Sequence, residues 1–145
     1  MNMKKKSTIL EVIITAATSN DNAHVYCDFL SINERKLIAI QKIIGEKIDL
    51  KYHTITSDEI RHSYNKHSKD ECAVEWSDFA LIPVIVSNPD NIKYLGTAKQ
   101  NANKLILFEK QIDNIYYVVE EVRKGREKLV VKTFYKNKIK KKGGI

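Results

Sequence analysis

Cysteine is nearly absent. The 145 residues contain only Cys27 and Cys72, with no C-x-x-C spacing. Two unspaced cysteines build no disulfide framework and point to a reducing, cytoplasmic setting. No apolar run comes near the roughly 18 residues that a membrane span needs. The chain has no Walker A loop, no G-x-G-x-x-G, no H-E-x-x-H and no G-x-S-x-G. The phosphate cradles, the zinc-protease helix and the serine elbow that those patterns encode are therefore missing. There is no internal repeat. Acidic residues are missing from both ends: "MNMKKK" holds three lysines and "KNKIKKKGGI" holds five. The net charge is +7, and without those eight lysines residues 7–135 carry −1. The basic character thus belongs to the tails. A lysine run beside a folded domain suits phosphate contact through counterion release, or serves as a solubilising tail. Lysine far outnumbers arginine, which disfavours base-specific bidentate contacts.

What is present suits one domain with a core that needs no disulfide or metal. The opening "MNMKKKSTILEVIITAATS" has the basic start of a secretory signal, but Glu11 interrupts the apolar run. "ILEVIITAA" alternates, so a strand is expected over 9–17, paired with "HVYCDFL" (24–30) across a polar turn. "SINERKLIAIQKIIG" (31–45) has helical spacing, with Ser31 or Asn33 as cap and Gly45 as stop. "KIDLKYHTIT" is extended. "SDEIRHSYNKHSKDE" (57–71) reads as a helix capped by Ser57. "EWSDFALIPVIVSNPDNI" reads as another, begun by Ser77 and kinked near Pro83. After residue 90 the period changes to two. "IKYLGT", "KLILFEK", "IYYVVEEV" and "KLVVKTFYK" are expected strands, joined by short turns that imply antiparallel neighbours. The fold class is α+β: N-terminal strands and helices packed on a four-stranded antiparallel sheet.

His62 and His67 draw the chemical interest. Five residues on an ideal helix turn by about 140°. The pair can reach one site only if the helix ends before His67. Helical metal ligands prefer i,i+4, and no cysteine or carboxylate completes a set here, so no metal is expected. In the last strand, strict alternation puts Thr133 and Tyr135 on one face with Leu129 and Val131, and Lys132, Phe134 and Lys136 on the other. Taken alone, the histidines are surface residues, and Thr133 and Tyr135 are β-formers.

The order of features resembles the phage- and mobile-element-associated branch of the barnase–EndoU–colicin–RelE-like nucleases. The residues carrying the likeness are "SDEIRHSYNKHS", "WSDFALIPVIVSNPDNI", "KLILFEK", "YYVVEEV" and "LVVKTFYK". They correspond to that family's "RH…KH" helix, "DF…LIP…NPD" helix and "T-x-Y-K" final strand. The likeness covers about residues 48–138, leaving 1–47 as an N-terminal extension and 139–145 as a basic tail. It implies a metal-independent endoribonuclease without a cofactor, which cleaves RNA by 2′-hydroxyl attack to give a 2′,3′-cyclic phosphate. Such an enzyme would be a toxin or phage-associated effector. The resemblance makes His62 and His67 the acid/base candidates, and Thr133, Tyr135 and Lys136 the phosphate-orienting ones. Arg61, Lys132 and Lys138 would contact substrate. RNA, tRNA included, is the expected partner, an immunity or antitoxin protein is a second candidate, and no membrane is involved. The competing readings are an inactive nucleic-acid- or protein-binding module on the same fold, and an accessory phage protein. Convergence of the histidine helix with Thr133 and Tyr135 separates the enzyme from both.

Overall fold

The computed structural model describes residues 5–18 and 23–139. The lysine run at 140–142, most of "MNMKKK" and most of the expected turn at 19–22 lie outside the described residues. Seven strands form one mixed sheet in the order β1-β2-β3-β7-β6-β5-β4. The last four strands are β4 (Asn91–Thr97), β5 (Lys104–Gln111), β6 (Ile115–Arg123) and β7 (Lys128–Asn137). They form an antiparallel meander at the positions that period-two alternation predicts. The expectation of a four-stranded antiparallel sheet needs correcting, because the meander is extended on the β7 side. β3 (Tyr52–Thr56) pairs with β7 in parallel. β2 (Val25–Ser31) pairs antiparallel with β3, and the two-residue β1 (Lys5–Lys6) pairs in parallel with β2. Long-range parallel pairing leaves no turn signature in the sequence, so this half of the sheet could not be read there.

A second correction concerns residues 9–17, which form a helix and not a strand. α1 (Ile9–Thr18) buries Val12, Ile13 and Ala16, an i, i+1, i+4 set that lies on one helical face. Thr8 and Glu11 cap it reciprocally: each backbone N–H donates to the other side chain, at 3.0 and 3.2 Å. α2 (Glu34–Ile44) starts at Asn33, whose Oδ1 accepts from Lys36 N at 2.9 Å. It stops at Gly45, which takes the left-handed conformation with φ 68°. The cap of α3 (Ser57–His67) is Thr56 and not Ser57. Ser57 is buried, where it donates to the carbonyl of Ala23 and accepts from Val25 N–H. The next segment is a 3-10 turn, Trp76–Leu81, begun by a Glu75/Asp78 capping box and not by Ser77. It continues into α4 (Ile82–Ser87) with Pro83 in the first turn, where its missing N–H is harmless.

The core lies between one sheet face and the helices. Ile55, Ile106, Phe108, Val118, Leu129, Val131 and Phe134 come from the sheet, and Val12, Ile40, Ile60, Phe79, Ile82 and Ile85 from the helical layer. The segment expected as an N-terminal extension thus contributes α1, α2 and β2 to this one core, and β1 to the sheet edge. Leu129 and Val131 share the core face with Phe134, which strict alternation does not allow. Val119 pairs with Thr133 while Glu120 pairs with Val131, so Lys132 is an extra residue in a β-bulge. The bulge shifts the pleat by one position. The alternation expected from the sequence is therefore wrong beyond Val131. Phe134 and Lys136 face the helices, and Thr133 and Tyr135 face the opposite side of the sheet.

α3 has an unusual place. β3 ends at Thr56 and α3 begins at the next residue, while β7 runs on to Asn137. Beyond its pairing with β3, the exposed edge of β7 is covered by the helix. Phe134 N–H donates to Ser63 Oγ at 3.2 Å, and Lys132 Nζ lies 3.3 Å from Glu59. A bare strand edge is a liability, and a covering helix removes it. Among the described residues, no helix is long and apolar enough to cross a membrane.

Candidate functional site

The covering of β7 by α3 decides where the site residues fall. α3 remains helical through His67, so His62 and His67 point in different directions. His67 leans over the end of β7 and stacks on Tyr135, with ring centroids 5.2 Å apart. Tyr135 stacks in turn on Tyr117 of β6, its cross-strand partner, at 4.7 Å. The result is a three-ring ladder of His67, Tyr135 and Tyr117. Thr133, two residues before Tyr135, lies on the same face of the sheet.

His67 Nδ1 donates to Asp70 Oδ2 at 2.6 Å. That bond fixes the ring and leaves Nε2 as the nitrogen free to accept a proton. Nε2 is buried and has no hydrogen-bond partner. Burial raises the Tyr135 phenol above its ordinary range, and the charges of Tyr117 and Glu109 push the same way. The hydroxyl is accordingly a neutral donor at physiological pH.

The other sequence candidates are placed elsewhere. Lys136 points to the helical side, where Nζ pairs with Asp78 at 2.9 Å and lies over the Tyr116 ring. Burial works to lower its pKa, but the hydrogen bond and charge of Asp78 outweigh it, and the net shift is upward. This ion pair joins the "DF" and "T-x-Y-K" segments, as does the Phe79–Phe134 ring contact at 5.1 Å. The Tyr116 hydroxyl donates to Asp113, and burial first, then that bond, pushes its pKa up to about 12. Lys132 is the bulge residue paired with Glu59, and Lys138 is exposed just past β7. His62 is exposed on the outer side of α3 and lines an open depression of about 290 Å³ with Asp58, Arg61 and Asn65. The structure thus brings His67, Tyr135 and Thr133 toward one face, and separates His62, Arg61 and Lys136 from them.

Two contributors went unnoticed in the sequence. Asp70 stands three residues after His67, a spacing that could have been spotted at a helix end. Tyr117 could be assigned only once the β6–β7 register was known. Among the described residues, no group of three or more His, Cys, Asp or Glu is arranged to hold a metal ion.

No curated protein and no solved structure is found to match the chain. A family model does match, over residues 32–143, and its description is phage-Barnase-EndoU-ColicinE5/D-RelE like nuclease3. The match takes in α2, all of β3 to β7, and the whole His67–Tyr135–Tyr117 ladder. With well over half of its length matched, the chain belongs to this phage-associated nuclease family.

Proposed function

We propose that the protein is an endoribonuclease that needs no metal, with its centre where the end of α3 meets β7. The observation that carries this reading is His67: one nitrogen bound to Asp70, the other without a partner, and the ring seated on Tyr135. In the proposed reaction the RNA lies along the open sheet face. His67 Nε2 takes the proton of a ribose 2′-hydroxyl as a general base. The 2′-oxygen attacks the adjacent phosphorus and the bond to the 5′-oxygen breaks, water protonating the departing 5′-oxygen, which leaves a 2′,3′-cyclic phosphate and a 5′-hydroxyl. Tyr135, held neutral by its surroundings, donates to the phosphoryl oxygen on which charge builds, and Thr133 adds a second hydroxyl. Asp70 keeps the imidazole in the accepting tautomer. Because Nε2 is closed off from solvent, substrate engagement includes a small opening of the α3 end. The attacking oxygen belongs to the substrate, so DNA survives. An effector role against cellular RNA, tRNA included, with an immunity or antitoxin protein as partner, is proposed alongside it and rests on the family likeness alone.

The test is purified protein with total RNA in excess chelator, with product ends analysed. Cleavage to 2′,3′-cyclic phosphate ends is expected. Activity that appears only with added magnesium, or that degrades DNA equally, overturns the mechanism.

Two conservative variants separate chemistry from packing. Tyr135→Phe and Thr133→Val keep shape and remove a hydroxyl. Both proteins are expected to fold normally. Tyr135→Phe is expected to lower kcat by about 10–10³, the range of a lost transition-state donor, with little change in KM. Equal losses in binding and turnover would make Tyr135 a recognition residue, and full activity would return the strand to a structural role.

A further inference from the structure

The proposed centre leaves out the depression on the outer side of α3. Its walls are Asp58, Arg61, His62 and Asn65, which α3 presents at i, i+3, i+4 and i+7. That spacing forms one stripe along a helix, turned away from β7. The informative member is Arg61. Its side chain is only 15 % exposed, and among the described residues its ion pair is a long 3.5 Å contact from Nη1 to Asp58. Nε and Nη2 are buried and have no hydrogen-bond partner at all. These two atoms form one edge of the guanidinium fork, the geometry that grips two oxygens of a phosphate at once.

Asp58 does not meet that edge, and it is engaged by His24, whose Nδ1 lies 2.8 Å from one of its carboxylate oxygens and 3.0 Å from the other. A buried donor left unsatisfied is unfavourable, and a ligand that accepts from it removes the penalty. Turning the guanidinium edge into the depression gives up the 3.5 Å contact with Asp58. There the exposed imidazole of His62 and the amide of Asn65 stand ready as further donors.

We propose that this depression is a phosphate-binding subsite for the nucleic-acid backbone, separate from the His67 centre and built on Arg61. It rests on the nucleic-acid reading of the proposed function. It adds a second point at which the strand is held, so that the substrate wraps α3 from the sheet face to its outer side. A guanidinium grip on phosphate oxygens carries no sequence information.

The experiment uses the full chain and a fluorescent 2′-deoxy oligonucleotide, which the proposed chemistry cannot cut. Binding is followed by anisotropy over a range of salt. Arg61→Gln is expected to weaken binding about tenfold, as loss of a charge-assisted pair of bonds does. The salt slope should fall by about one phosphate contact. Lys99→Gln, which removes an exposed charge in the β4–β5 turn, serves as the control and should produce less than a twofold change. His62→Ala, at an exposed position, guards against misfolding of the arginine variant and should weaken binding in the same direction. Arg61→Gln and His62→Ala both binding as the wild type does, with unchanged slope, overturn the subsite. The RNA assay stands apart. Cleavage that persists beside unchanged binding defeats the subsite alone. Weakened oligonucleotide binding by Arg61→Gln, where the wild type cuts no RNA, supports the subsite and defeats the ribonuclease reading.

Discussion

His67→Asn is expected to lower RNA cleavage by about 10²–10⁴, the weight of a general acid–base group. The loss should fall on kcat. Asparagine keeps a polar group within reach of Asp70 but cannot take a proton at the position of Nε2. Asp70→Asn should lower kcat less and in the same direction, because the ring stays seated on Tyr135 while its preferred tautomer is no longer enforced. Single-turnover rates across pH are the measurement. The wild-type rate should fall on the acidic side, where a general base becomes protonated, and His67→Asn should lose that dependence. An unchanged rate in His67→Asn would remove the end of α3 from the chemistry.

The largest effect on stability is expected at a pair the reaction does not use. His53 Nδ1 donates to Glu120 at 2.7 Å, and the two side chains are 1 % and 0 % exposed. The imidazole stacks on Phe29 at 5.9 Å and meets the edge of Phe108 at 5.8 Å. Glu120→Ala leaves that ring buried without its partner. The expected loss is about 3–5 kcal/mol, a large share of the roughly 5–15 kcal/mol that holds a domain together. Denaturant midpoints measure it, with the slope expected to stay the same. The double variant His53→Leu, Glu120→Met removes both polar groups at similar volume and should recover most of the loss. If Glu120→Ala melts like the wild type, the pair is not what secures this part of the sheet. Glu120 also stands at the bulge, opposite Val131, so the single variant should loosen the segment that turns Thr133 and Tyr135 outward.

That bulge marks where the sequence stops being legible. The four strands of the meander are plain in "KLILFEK", "IYYVVEEV" and their neighbours, because each alternates and is bounded by polar turns. α2 is plain from its isoleucine spacing, Asn33 and Gly45. "ILEVIITAA" fits a strand and a helix equally well. Only the burial of Val12, Ile13 and Ala16 together, set by the layer it joins, decides for the helix. The site was legible in its residue types, His67, Tyr135 and Thr133. Its geometry was not, since one extra residue, Lys132, reverses the pleat and nothing in "VVKTFY" announces it. Asp70 and Tyr117 depend on a helix end and a strand register that are fixed by tertiary contacts. His62 was paired with His67 through the family's "RH…KH" helix, and because α3 continues to His67, helical rotation parts them.

The strand order has a consequence for how the enzyme comes into being. β7 stands between β3 and β6, so the last of the seven strands to leave a ribosome joins the two halves of the sheet. β4 to β6 can form a meander as they emerge, since their contacts are local and close quickly. β1 to β3 have no such sequel and wait for a neighbour made about seventy residues after β3, a separation that slows pairing. His67 has nothing to rest on until Tyr135 arrives. A nascent chain that still lacks β7 therefore carries His67 without the ring ladder that the finished fold builds around it.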